Sequence, residues 1–214
     1  MRRAGFARGR DEVRESPLSE HLDQIAGDIR GCRTGHFLLE SGYHADTWFD
    51  LDALFIDPAA IAPQVKGLAA LIRPHDVSAI CGPLLGGAFL AQAVAAAMDV
   101  RFYYCEKGDS SSGLYGATYR LPEGLREYAS KERFAVVDDV ISAGSSVRAV
   151  VTELEGAGAM TVVVGSLLLL GTKATEYFAS MNIPVVALDR RDFQTWLPDE
   201  CPLCRSGVPL ENRA

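Results

Sequence analysis

The chain has no apolar run long enough to cross a bilayer. One of its longest, Ala88 to Met98, is interrupted by Gln92 and is far shorter than the roughly 20 residues a membrane helix needs. It has no excess of positive charge either. With 21 Lys and Arg against 28 Asp and Glu, the net charge is −7, which argues against a general nucleic-acid-binding face and leaves room only for a local cationic pocket. Cysteine is sparse, odd in number (five) and scattered, so no disulfide framework is expected and a reducing, cytoplasmic setting is. The start, MRRAGFARGRDEVRESP, lacks the apolar core of a signal peptide, and its acidic residues from Asp11 onward disfavour a transit peptide. Residues 1–17 read as a mobile tail. There is no internal repeat and no inter-domain linker.

What is present is enough chain for one sizeable domain: 214 residues, 48% apolar and 23% charged. Leu22, Ile25, Ala26 and Ile29 recur at helical spacing after Ser19, a candidate cap. His36–Leu39 and Thr47–Phe55 read as strands, and Pro58 opens a helix to about Ile72. Val77–Cys81 predicts a buried strand, Leu84–Met98 a helix, Val100–Cys105 a strand, and GDSSSGLYG (108–116) a loop before a returning strand at Ala117–Leu121. Then follow strand Phe134–Val137, helix Ser145–Glu155, strand Met160–Leu170, helix Thr172–Met181 and strand Pro184–Leu188. Strands alternating with helices after residue 58 predict an α/β fold, a mostly parallel sheet flanked by helices with an N-terminal helix-and-strand extension. The domain is expected over 18–198, with 199–214 a C-terminal tail.

The most informative stretch is FAVVDDVISAGSSVRAVVTEL, residues 134–154. An apolar strand runs into two acids, Asp138 and Asp139, and in open α/β sheets ligands bind beyond the carboxyl ends of strands. Val147, Val150, Val151 and Leu154 then mark a helix face packed on the sheet. Ser142, Ala143, Gly144, Ser145 and Ser146 therefore wrap a helix N-terminus, where free N–H groups and the helix dipole favour a phosphate. Two carboxylates beside a phosphate repel it unless they bind hydroxyls or share a metal ion. A ribose 5-phosphate satisfies both halves.

VVDDVISAGSSV resembles the phosphoribosyl-pyrophosphate motif of type I phosphoribosyltransferases. The resemblance implies that Asp138 and Asp139 contact the ribose hydroxyls, and that Val140 and Ile141 lead into the 5-phosphate loop Ser142–Ser146. Other segments resemble the orotate phosphoribosyltransferase branch. These are GHFLLESGYHADTWFDLDAL (35–54), AICGPLLGGAFLAQAVA (79–95), YYCEKG (103–108) and DECPLCRSGVPL (199–210). By that resemblance Gly82, Pro83, Leu84, Leu85, Gly86 and Gly87 form the pyrophosphate loop, the glycines admitting the anion to backbone amides. It implies a flexible hood loop after residue 107 and a homodimer in which one subunit's hood reaches the other's site.

The likeness is uneven. Familiar orotate enzymes carry lysine before the Ser-Gly turn, where this chain has Glu40, and often lysine in the pyrophosphate loop, where it has Gly86. The hood GDSSSGLYGAT contains no lysine, arginine or histidine, leaving Lys107 and Arg120 at its flanks, and an arginine expected after Val162–Leu170 is replaced by Gly171 and then Lys173. Phosphoribosyl transfer gathers negative charge on departing pyrophosphate, so Mg²⁺, cations and oriented amides are expected around it. Lys107 and Arg120 are the expected leaving-group cations and Asp139 a catalytic acid, with Mg²⁺ held through the ligand and by Asp138 and Asp139.

Three readings remain open. They are orotate as acceptor, another nitrogenous base as acceptor, and a non-catalytic phosphoribosyl-pyrophosphate sensor. The segment before the first strand is too short for the winged helix that repressors of this fold add. Asp50 and Asp52 alternate on a strand and face solvent, and His44 is placed either in the pocket or on the surface. Cys201-Pro-Leu-Cys204 is half of a four-ligand zinc site, with Cys32 and His36 as distant supplements, or part of a plain structural or disordered tail.

Overall fold

The computed structural model describes residues 32–212. The 1–17 tail and the Ser19–Ile29 helix lie outside the described residues. No helix among those described is long and apolar enough to cross a membrane.

Two sheets make up the molecule. The larger, a six-stranded sheet, is ordered β5-β4-β3-β6-β7-β8: Tyr119–Arg120, Arg101–Lys107, Ala79–Pro83, Arg133–Ile141, Met160–Leu170 and Val185–Arg191. All its pairings are parallel except that of β4 with β5. The chain enters this sheet at β3, runs outward to β4 and β5, then returns to β6 beside β3 and runs outward the other way through β7 and β8. β3 and β6 therefore flank the point where strand order reverses, and the helices that leave them diverge to opposite faces. A crevice opens there, beyond both carboxyl ends.

Burial on both faces explains the apolar runs. Along β6, Phe134 and Val136 face Val147, Val150, Val151 and Leu154 of helix α4 (Ser145–Gly156) and Phe178 of α5 (Lys173–Ser180). Ala135 and Val137 face the opposite layer, with Ile61, Val65, Leu68 and Ile72 of α1 (Pro58–Ile72) and Leu90 and Val94 of α2 (Gly86–Met98). This is the period-two alternation of a strand with a core on each side. Truncating a side chain such as the fully buried Leu154 to alanine costs about 2–5 kcal/mol by the usual cavity penalty. α1 begins and ends where the sequence places it, because Pro58 occupies the first helical position and the Asp57 carboxylate accepts from the N–H groups of Ala59 and Ala60.

The smaller sheet, ordered β10-β1-β2-β9, comprises Glu211–Asn212, Cys32–Leu38, His44–Phe49 and Thr195–Trp196. β1 and β2 form an antiparallel ribbon, and β10 joins it parallel to β1. The strand expected to reach Phe55 stops at Phe49. Asp50 Oδ1 accepts from the Asp52 N–H at 3.1 Å, turning the chain into a 3-10 helix over Asp52–Ile56. β6 departs in the other direction. It continues to Ile141, through the two acids rather than ending before them, because its pairing with the long apolar β7 persists to Ile141–Leu169. α2 starts at Gly86, two residues later than expected. Only Tyr119 and Arg120 pair in the returning strand, and a short helix α3 (Glu123–Ala129), for which the sequence shows no clear apolar period, precedes β6. After β9 the chain turns through Pro198–Glu200 and the one-turn helix α6 (Pro202–Arg205) before entering β10.

Candidate active site

A cleft of about 410 Å³ lies over the strand-order reversal. One wall is the β1–β2 ribbon with its following loop: Leu39, Glu40, Ser41, Thr47, Trp48, Phe49 and Asp50 to Asp52. The floor is Gly86, Asp139 to Ser142 and Gly144 to Ser146, and the far side is Leu170 and Phe193. The structure thus brings the two motifs at the ends of β3 and β6 to one place.

The two acids divide their work, because adjacent residues on a strand point to opposite sides. Asp139 lines the cleft. Asp138 is only 7% exposed and lies beneath it, where its Oδ2 accepts from the Ser146 hydroxyl at 2.7 Å and so secures the start of α4. Its Oδ1 also accepts from the Asp139 N–H at 3.1 Å. Burial first, then the neighbouring Asp139 charge, holds the Asp138 carboxyl well above its ordinary range. Burial also raises Asp139, opposed by the Val140 N–H that donates to it. Two acids strained in this way are relieved by hydroxyl donors or by a cation, and a divalent ion fits that donor set.

The loop above them suits an anion. Gly144 precedes the first turn of α4, whose opening N–H groups lack intrahelical partners, and no side chain caps them. Ser145 Oγ and Ser41 Oγ are buried, line the cleft, and have no hydrogen-bond partner among the described residues. Buried hydroxyls are usually satisfied, and a bound anion or water would satisfy these two.

Glycines set the approach between β3 and β6. A Cβ on Gly82 would lie 2.1 Å from the Gly87 carbonyl oxygen, and one on Gly87 would lie 2.6 Å from Asp138 Oδ1. Only bare backbone fits, so the loop after β3 is held directly against the acid pair. Leu84 and Leu85 are 37% and 62% exposed and are joined by a cis peptide bond.

The other wall is assembled from distant parts of the chain. Glu40 pairs with Lys107 at 3.0 Å and accepts from the Tyr119 hydroxyl at 3.1 Å. Burial and the Glu40 charge push Tyr119 far up, so it stays a donor. The hood folds back on the same chain. The Tyr115 N–H donates to the Ser41 carbonyl at 2.9 Å, and Gly113 packs on Gly42, whose φ of +82° and contact with the Gly113 oxygen leave no room for a side chain. Arg148 stacks between the rings of Tyr115 and Tyr177, at 4.1 and 3.8 Å, and Lys173 lies 4.7 Å from the Tyr43 ring.

Sequence expectation and structure part here in several places. Lys107 does not line the cleft but reaches its wall through Glu40, and Arg120 lines a separate groove with Arg148 and Tyr177. Asp50 and Asp52 are exposed, yet they stand at the cleft mouth. His44 is neither in the cleft nor on the surface; it is 4% exposed, packed against His36. Phe193 and Trp48 were not identified from the sequence as cleft residues, since neither carries a local motif. The Glu40–Lys107 pair joins residues too distant for any spacing rule.

Comparison with known proteins agrees with this geometry. The phosphoribosyl transferase domain family model matches residues 57–201, which include the loop after β3, the acid pair and the phosphate loop. Orotate phosphoribosyltransferase of Thermotoga petrophila is 31% identical over 190 residues, covering 89% of this chain and 95% of the relative. Its counterpart from Thermus thermophilus is 32% identical over 177 residues, covering 83% and 91%. The solved orotate phosphoribosyltransferase of Aeropyrum pernix superposes with a TM-score of 0.63 at 22% identity, over 79% of this chain and 93% of that one. With the acid pair, the phosphate loop and the close glycine contacts all inside the matched segment, this chain belongs to the phosphoribosyltransferase family.

Proposed function

We propose that the protein transfers the phosphoribosyl group of 5-phosphoribosyl 1-pyrophosphate to a nitrogenous base, with orotate the leading acceptor, and releases pyrophosphate. The observation that carries the reading is the meeting, in one cleft, of a bare helix N-terminus with the Asp139 carboxyl, Asp138 beneath it, and two unpartnered serine hydroxyls. The names of the two relatives above support orotate. In the reaction the C1–oxygen bond to pyrophosphate breaks, the C1–nitrogen bond forms, and the base nitrogen gives up its proton.

Each residue's part follows from its position. The first N–H groups of α4, those of Ser145 and Ser146 among them, hold the 5-phosphate together with the Ser145 hydroxyl. Asp139 accepts from the ribose hydroxyls, while Asp138 holds Ser146 and adds negative potential beside a ring that becomes cationic. The backbone around Gly86 and Gly87 faces the leaving pyrophosphate, and closure of the hood would carry Lys107 and Arg120 toward it. A magnesium ion would be held through the donor and by Asp139 with Asp138 behind it, and would supply charge to neutralise the leaving group. Phe193, Phe49 and Trp48 offer a flat base its apolar wall. A homodimer belongs to the same reading. Ile56 (82%), Leu85 (62%) and Phe89 (52%) are exposed near the cleft's Asp52 and Gly86, with Phe89 against Phe55, and would suit an apolar contact with a second copy.

The test is pyrophosphate release with donor, Mg²⁺ and a panel of bases. Release with orotate is expected. Release only with another base would reassign the acceptor, and tight donor binding without turnover on any base would make the protein a sensor. Light scattering in solution checks the dimer.

A further inference from the structure

Away from the cleft, the chain gathers two histidines and two cysteines that the reaction does not use. His36 on β1, His44 on β2, and Cys201 and Cys204 at the start of α6 place one ligand atom each within 4.8 Å of one another. We infer that these four residues form a closed structural zinc site that clasps the C-terminal segment onto the β1–β2 ribbon.

The distances carry the argument. His36 Nε2 lies 3.0 Å from His44 Nδ1, 3.4 Å from Cys201 Sγ and 3.7 Å from Cys204 Sγ, and Cys204 Sγ lies 3.3 Å from His44 Nδ1. In a tetrahedral site with zinc–nitrogen bonds of about 2.0–2.1 Å and zinc–sulfur bonds of about 2.3 Å, ligands sit about 3.3–3.8 Å apart. The four atoms are therefore already near the corners of a zinc tetrahedron.

Hydrogen-bond accounting points the same way. His36 Nδ1 lies 2.8 Å from the Val208 carbonyl oxygen, which only accepts, so Nδ1 carries the proton. In the neutral ring Nε2 then has a single lone pair, yet three other ligand atoms crowd it. A cation shared by all four lone pairs resolves that crowding. The outer contact to Val208 is the partner that zinc-bound histidines generally keep. His36, His44 and Cys201 are buried, at 1%, 4% and 0% exposure, and Cys204 is exposed at the rim. Four protein ligands fill a tetrahedral site and leave no open position for chemistry. Two thiolates and two imidazoles favour zinc over the oxygen-seeking magnesium of the proposed reaction.

The clasp sits behind the cleft wall formed by the β1–β2 ribbon. β1 and β2 are joined by the turn bearing Glu40 and Ser41, and β10 pairs with β1 at Phe37 and Leu38. Zinc would hold ribbon and tail as one unit. Sequence alone shows only the Cys201–Cys204 half. Cys32 is exposed and outside the cluster, and His44 takes the place considered for it.

The test uses the untagged full-length chain, purified without chelator and under reducing conditions, with metal content and spectra as readouts independent of phosphoribosyl transfer. About one zinc per chain is expected, as for a single four-ligand site. Cobalt added to the stripped protein should give the intense tetrahedral, thiolate-coordinated spectrum. Removing zinc should lower the melting temperature by at least about 5 °C, since the metal binds only the folded arrangement. Cys201→Ser with Cys204→Ser should lose the metal; if that variant does not fold, the cobalt spectrum of the unaltered chain decides. No zinc after reconstitution and no thiolate band with cobalt would overturn the site, as would full zinc retention by the double variant.

Discussion

The two walls of the cleft are built in opposite ways. Most of the donor side is contiguous in sequence: a strand, two acids, a small-residue loop and a helix within residues 133–156, with the loop after β3 brought against them. Its geometry comes from the local rules of strand alternation and helix ends. The opposite wall draws Glu40 and Phe193, with Lys107, Tyr115 and Tyr119 behind them, from five separate segments, and holds them by one ion pair, a few hydrogen bonds and ring contacts. A local motif tolerates little change, whereas an assembled wall can exchange one contact for another. That difference fits the uneven resemblance read from the sequence, in which the ribose-phosphate motif matches and the base-side cations do not.

If the comparison is right, damage on the donor side should be severe and damage on the acceptor side graded. The largest effect is expected from Asp138→Asn with Asp139→Asn. Donor kcat/KM should fall by at least on the order of 10²–10³-fold, measured as pyrophosphate release, and unchanged donor affinity would sink the ribose assignment. Ligand-free stability should move the other way. Both carboxyls have folded values above their unfolded ones, so stability declines as pH rises from the unfolded value near 4 through the raised folded values. Melting curves of the double variant should lose that decline and lie at or above those of the unaltered chain at neutral pH.

Gly82→Ala comes next. Its new Cβ would meet the Gly87 oxygen at 2.1 Å, backbone against backbone, which should cost about 1–3 kcal/mol in denaturant unfolding and weaken donor binding. Lys107→Met should change stability by less than about 1 kcal/mol, because the pair with Glu40 is partly exposed. Its effect should fall on kcat, by about ten-fold or more, if the hood delivers this cation to the leaving group. Glu40→Gln should raise the acceptor KM a few-fold and leave the donor KM alone; an equal rise in both would erase the division between the walls. The smallest effect is expected for Tyr115→Ala. It removes one face of the Arg148 stack, worth about 0.5–1 kcal/mol, and should show mainly as faster proteolysis of the hood.

Legibility followed the same division. Asp138 to Ser146 could be read because each residue's environment is set by near neighbours. The loop after β3 could be placed by its glycines, though not the reason for them, which is the approach of Gly82 to Gly87 and of Gly87 to Asp138. The ends of β2 and β6 were misjudged in opposite directions. An aspartate side chain ended one strand early, and a partner strand prolonged the other. His44 could not be placed because its neighbours, His36 and Cys204, are supplied by strand pairing and by a segment 160 residues away.

By itself the sequence determined the class of fold, the order of its central strands' motifs and a ribose-phosphate cradle, since all three rest on periodicity and on residues adjacent along the chain. The donor's name came from the resemblance of that stretch to a family motif. Tertiary structure decided the rest. It turned Asp139 into the cleft and Asp138 beneath it, set Lys107 against Glu40, and drew two histidines and two cysteines into one cluster. Those arrangements depend on which strands become neighbours, and a contact between remote residues leaves no mark on the spacing of either.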